Sequence, residues 1–166
     1  TRELAAIWSP DNSQDDPVMD FALAVELTRE ALASEGGELS ASTDTIELLA
    51  RSLRYSPPDD RGTNLVESMR LYKLLVDRAM EERDGDLAAN ALHCLAEIET
   101  QVGEGERLAR LRAGEARIVQ AVEMTQSPYK KAEYTSSLAW QRTQIASQLA
   151  GDESVQGYRR AAATFD

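Results

Sequence analysis

The sequence predicts an all-α fold of about seven helices, and three observations carry that prediction. The apolar inventory is 42% of the chain but only 5% is aromatic, with Ala and Leu in place of the β-branched and aromatic residues that favour strands. Apolar residues recur at spacings of three and four between Gly, Pro and polar breaks, the period of an amphipathic helix. Alternate helical stretches also share a register, the mark of a repeated helix pair. At 166 residues the chain has the length of one ordinary domain.

Residues 1–18 are expected to hold a partial leading helix, Arg2–Trp8, followed by the loop Ser9–Pro17, where two prolines sit among Asp, Asn and Ser. From Met19 to Ser34 a stripe of Phe21, Ala24, Val25, Ala31 and Leu32, with Thr28 its one polar member, predicts a helix that ends at Gly36-Gly37. Ser42, Thr43 and Asp44 are N-cap candidates for the next helix, through Ile46, Leu49, Ala50 and Leu53, with Glu47 placed to close a capping box on Asp44. After the polar connection Pro57–Gly62, Thr63 or Asn64 is expected to cap a long helix that reaches about Arg83. Asp86 is expected to cap a helix carrying Ala89, Leu92, Leu95, Ala96 and Ile98, which ends near Gly103. The following helix runs from Glu106 to about Thr125 and contains Gly114, whose cost of about 1 kcal/mol against Ala close packing would offset. Ser127-Pro128 opens the final pair, Tyr129–Ala150 and Glu153–Phe165.

Charge excludes one large class of partners. The formal charge of −11 opposes general binding to a phosphate backbone, which needs a basic face, and favours a basic protein or peptide. It is graded along the chain: residues 1–62 carry net −8, residues 63–128 net −4 and residues 129–166 net +1. The single cysteine, Cys94, excludes an internal disulfide and fits a reducing, cytoplasmic setting. No apolar run of about 18 residues and no basic-then-apolar leader is present in the sequence, so neither a membrane span nor secretion is predicted. The chain opens on Thr1 and stops on Asp166 directly after a helical pattern, so it is expected to be a fragment of a longer protein.

Two series of residues recur with nearly one period. A Leu-Ala step in the first helix of each pair stands at Leu49-Ala50, Leu95-Ala96 and Leu138-Ala139. In the second helices a small residue stands at Ala24, Ser68, Ala109 and Ser154, followed four positions on by Thr28, Tyr72, Ala113 and Tyr158, and seven on by Ala31, Leu75, Ala116 and Ala161. Small residues let helix axes approach, and a bulkier neighbour one turn later fills the gap to the next pair. One hairpin buries only one face, so such hairpins stack. An ordinary helical bundle, rich in the same Leu and Ala, would share some of these spacings.

On these residues the chain resembles tetratricopeptide (TPR) repeats. Leu138-Ala139, Gly151-Asp152, Ser154, Tyr158 and Ala161 match the family pattern best, and Ala24, Ala31, Ala109, Ala113 and Ala116 also fit. The resemblance covers residues 19–166 but is divergent: the spacing is about 41–46 residues rather than about 34. It implies a right-handed α-solenoid of stacked antiparallel helix pairs, as in large bacterial regulatory proteins, with the first helix of each pair lining a concave face. Partner-binding positions follow from it: Glu47, Arg51 and Arg54 on the first such helix, Asn90, His93 and Glu97 on the second, and Ser136, Trp140 and Gln144 on the third. Trp140 is the sharpest, since Trp and Arg are favoured anchors in binding sites, although a Trp between Ala139 and Ile145 equally suits packing against the next pair.

Catalytic and metal chemistry find little support. His93 is the only histidine, so no second imidazole serves a metal site or a triad. His93 and Cys94 are neighbours on a helix and point about 100° apart, so Cys94 reads as a buried thiol beside core Leu95. No glycine-rich phosphate loop is present in the sequence. The expected function is therefore a non-enzymatic protein-protein interaction module without cofactor or metal, binding a peptide or helix in its groove. The alternative is a small-molecule-sensing regulatory domain of a larger bacterial signalling protein, and the exposed faces of terminal repeats could also support self-association.

Overall fold

The computed structural model describes residues 21–56, 61–102 and 105–165. The expected leading helix Arg2–Trp8, the loop Ser9–Pro17 and most of the Pro57–Gly62 connection lie outside them. Among the described residues there are seven α-helices and no strand: α1 Phe21–Ser34, α2 Thr43–Arg54, α3 Arg61–Glu82, α4 Gly85–Val102, α5 Arg107–Met124, α6 Pro128–Gln148 and α7 Gly151–Ala162, closed by a 3-10 turn Ala163–Phe165. None of these helices is long and apolar enough to cross a membrane. The chain divides at Ser68, within α3, into two compact units.

In the first unit α1 ends as its glycines require. Gly36 and Gly37 both take positive φ, 89° and 88°, and the Gly37 N–H returns to the Leu32 carbonyl at 2.9 Å, closing the last turn of α1. Ser42 is the N-cap of α2, its hydroxyl accepting from the Thr45 N–H. The N-cap is Ser42 rather than Asp44, so Glu47 lies two residues past the position that a capping box uses. Glu35 takes that role from the end of α1. One carboxylate oxygen accepts from the Ser42 N–H at 2.6 Å and the other from the Thr45 hydroxyl at 2.8 Å. These bonds, the Ser42 N–H first, hold the Glu35 carboxyl below its ordinary pKa. Thr28, fully buried in the α1 stripe, is satisfied by the Ala24 carbonyl at 2.6 Å. The start of α3 lies earlier than expected, at Arg61, which places Thr63 and Asn64 inside the helix rather than at its cap. Ser68 of α3 is fully buried and donates to the Ala50 carbonyl at 2.6 Å.

In the second unit α4 and α5 form an antiparallel hairpin. Asp84, not Asp86, caps α4, accepting from the Leu87 N–H at 3.0 Å. Asp86 reaches instead to the other end of the hairpin, where it accepts from the Thr125 hydroxyl at 2.7 Å and the Gln126 N–H at 2.9 Å. The Thr125 hydroxyl and then the Gln126 N–H hold this carboxyl below its ordinary pKa. A bidentate Arg117–Glu99 pair, at 2.7 and 3.0 Å, ties the middle of the two helices.

The buried face of α5 differs from the expected one. Leu111, Gly114, Ile118 and Ala121 are buried, while Ala109, Ala113 and Ala116 are exposed. Both stripes have helical spacing, and the larger side chains of the first bury more apolar area. Gly114 is the close-approach residue: a methyl group there would stand 3.4 Å from the Ala96 carbonyl, 3.2 Å from Thr100 Oγ1 and 2.7 Å from Gln141 Nε2. The Ser68–Ala50 contact in the first unit and the Gly114–Ala96 contact in the second thus pair a small residue with the alanine of a Leu-Ala step 18 positions earlier.

The third helix of this unit, α6, starts at Ser127-Pro128, with the Ser127 hydroxyl accepting from the Lys130 N–H. It runs parallel to α4. The Tyr134 hydroxyl donates to Asn90 Oδ1 at 3.5 Å and Ser137 meets His93, each 44 residues apart in sequence. A core of Ala89, Leu92, Ala96, Ile118, Ala121, Tyr134 and Leu138 fills the space between α4, α5 and α6. Gln141, 3% exposed, spends its amide on the Leu111 carbonyl at 2.8 Å.

The last helix, α7, folds back on α6. Its Ser154 hydroxyl donates to the Ala146 carbonyl at 3.0 Å, and Gly157 brings the two backbones together, since a methyl there would stand 2.8 Å from Ala146 Cβ and 3.1 Å from its Cα. Ala161 is the one residue of α7 that is fully buried. Tyr158, expected to pack between helix pairs, is 47% exposed. It lies on the outer face with exposed Val155 and Phe165, because Gly157, Ser154 and Ala161 take the inner one.

Candidate functional site

The site is assembled on parallel helices α4 and α6, over the edge of α5. Trp140 stands on α6 with 58% of its surface exposed, beside a cavity of about 340 Å³ lined by Glu97, Ile118, Ser136, Ser137, Trp140 and Gln141. Helical spacing explains the grouping, because Ser136, Ser137, Trp140 and Gln141 fall on adjacent rows of one α6 face. Glu97 reaches the same space from α4, and Ile118 of α5 supplies an apolar floor. Three of the sequence-predicted residues, Glu97, Ser136 and Trp140, are therefore brought together.

His93 is placed differently from expectation. It is only 7% exposed, its Nε2 lies 2.8 Å from Ser137 Oγ, and its ring meets the Tyr134 ring at 4.6 Å between centroids. The Glu97 carboxylate stands 4.0 Å from the same nitrogen. His93 is thus a supporting member that fixes Ser137, not a surface contact. Asn90 is spent likewise on the Tyr134 hydroxyl. Gln144 follows one turn after Trp140 and is half-buried. Ser136 is exposed, although its hydroxyl donates to the Ala132 carbonyl at 3.0 Å. Glu47, Arg51 and Arg54 form a row on α2 in the first unit, where the Arg54 guanidinium lies 5.1 Å from the Tyr55 ring centroid. Ser137, Ile118 and Gln141 were missed by sequence reasoning. Gln141 stands four positions after Ser137, on the same row of α6, but no pattern in the sequence announces Ile118 as a floor.

No protein-family model matches the chain, and neither a curated protein nor a solved structure is significantly similar to it. A large exposed indole adjoins a partly apolar hollow, with one carboxylate and two hydroxyls at its rim. Among the described residues no three His, Cys, Asp or Glu side chains are grouped to hold a metal ion. Cys94 is buried on α4 and forms no disulfide.

Proposed function

We propose that this chain is a non-enzymatic protein-interaction module of TPR-like helix pairs, whose groove between α4 and α6 takes a peptide or a helix of a partner protein. The observation that carries this reading is Trp140, which keeps 58% of its surface exposed beside a hollow with an apolar floor. An indole left in water next to a concave surface is the usual anchor of a binding site. Glu97 at the rim and the net charge of −11 favour a segment in which a Lys or Arg follows an apolar residue. The antiparallel α4/α5 and α6/α7 hairpins, and α4 lying parallel to α6 at a 44-residue offset, support the stacked-pair reading. A three-helix bundle has the same parallel neighbours.

Panning a phage-displayed library of twelve-residue peptides on the chain tests the proposal. Enriched peptides should carry an apolar anchor beside a basic residue, and calorimetric affinity should fall at least tenfold in Trp140→Ala and in Glu97→Lys. Enrichment of no such peptide, or affinity unchanged from that of the natural chain in both variants, overturns it.

A second reading, a regulatory domain that senses a small molecule within a larger bacterial signalling protein, is favoured by one specific observation. A second and larger hollow, of about 420 Å³, opens on another face of α6.

A further inference from the structure

The second hollow is built by α5, α6 and α7 and shares no lining residue with the Trp140 groove. Its volume, about 420 Å³, lies within the range of small-molecule sites. Three arginines face it, Arg112, Arg142 and Arg160, with Glu115 and Glu153. Arg142 is committed to the fold: its Nε donates to Glu115 at 2.8 Å and its Nη1 to the Thr164 hydroxyl at 2.8 Å. The guanidinium groups of Arg112 and Arg160 make neither an ion pair nor a side-chain hydrogen bond with any described residue, and the Glu153 carboxylate is likewise uncommitted. Once Arg142 and Glu115 neutralise each other, the lining keeps a single positive charge. Ile145 of α6 and Leu149, its C-cap, supply an apolar wall.

We propose that this hollow binds a small aliphatic monocarboxylate, its chain on Ile145 and Leu149 and its carboxylate between Arg112 and Arg160. Charge decides the class. One negative charge balances the uncommitted lining, and guanidinium is the side chain best matched in shape to a carboxylate. A phosphate brings more charge than the lining balances and no surface for the apolar wall. An uncharged alcohol leaves both arginines without a partner. Arg142 and Arg160 also lie in residues 129–166, the stretch with a net charge of +1 in an acidic chain.

Octanoate is the probe, with octan-1-ol and inorganic phosphate as controls, measured by calorimetry and by amide chemical shifts on the whole chain. Octanoate should bind saturably in the millimolar range or tighter, move the amides of Leu149 and Gly157, and exceed both controls at least tenfold. The double variant Arg112→Gln/Arg160→Gln should weaken it at least tenfold. Arg160→Gln alone should weaken it less, and provides the same reading should the double variant lose its fold. Octanoate binding unchanged in these variants, matched by octan-1-ol, or not saturating at millimolar concentration overturns the proposal. Shifts confined to Trp140 and Ser136 would also overturn it, and would place the probe in the groove instead.

Discussion

The two sides of α6 are held by different means. Toward α4 and α5 it presents Tyr134 and Leu138 to a shared apolar core, and adds polar ties at Asn90 and His93. Toward α7 it offers Ala146, against which Gly157 brings one backbone onto another, and the Arg142 side chain, which holds Thr164 of the closing turn. Nine residues of α4 are buried, and in α7 only Ala161 is. Burial of apolar area therefore anchors the first side, and close approach of small residues fits the second. A helix with so little buried surface should be the first to open.

The largest expected effect lies on the core side. Tyr134, 1% exposed, should cost about 3–5 kcal/mol on replacement by Ala, by analogy with other large aromatic truncations. Chemical denaturation measures it, and a loss below about 1 kcal/mol would remove the distinction between the two sides.

A smaller effect is expected on the α7 side. Gly157→Val forces a branched side chain against the Ala146 backbone and should cost about 1–3 kcal/mol, with amide exchange rising first in α7. Gly114→Ala makes an instructive contrast, since the nearest atom there is the terminal nitrogen of Gln141, a side-chain end that can shift where the Ala146 backbone cannot, though only by straining its bond to the Leu111 carbonyl. Its cost should be the lesser of the two. Equal costs would show that the α6/α7 contact has as much slack as the Gly114 site.

The smallest effect concerns the carboxylate at the end of the α4/α5 hairpin. Because Thr125 and Gln126 favour ionised Asp86 in the folded chain, its contribution is present above the ordinary aspartate range and is lost as pH falls through the lowered folded value. The melting-temperature advantage of the natural chain over Asp86→Asn should therefore be greatest near neutrality and vanish in acid. An advantage independent of pH would show that the amide substitution acts through packing rather than charge. Glu35→Gln should follow the same course in the first unit, where Ser42 and Thr45 hold the carboxylate.

Much of this architecture was legible because period and punctuation agree. Gly36-Gly37, Ser127-Pro128 and the apolar stripes between them mark helices at nearly their observed bounds. Features that depend on a partner distant in sequence were hidden. Asp86 and Glu35 serve other segments rather than their own helices, and nothing local distinguishes Asp84 from Asp86 as a cap. The orientation of α5 was misjudged because alanine suits either face, so Ala109, Ala113 and Ala116 imitate a buried stripe that Leu111, Gly114, Ile118 and Ala121 occupy. At the candidate site, Glu97, Ser136 and Trp140 are positions that the repeat resemblance implies, counted from the Leu-Ala steps, and they line one hollow. His93 does not, since its burial arises from Tyr134 and Ser137 on another helix. Arg112 and Arg160 lie 48 positions apart in sequence, on separate helices, and only the folded chain brings them to one hollow.

Gly114 has a consequence beyond the closeness of α4 and α5. Lacking a methyl group, it admits the Gln141 amide from α6, which reaches the Leu111 carbonyl through the opening. Sliding α6 by one helical turn, about 5.4 Å, would carry the amide away from that carbonyl and leave it buried without its acceptor, at a penalty of about 1–3 kcal/mol. The pair thus acts as a keyway: greasy surfaces tolerate slippage, whereas a lone amide in a slot accepts one alignment and rejects its neighbours.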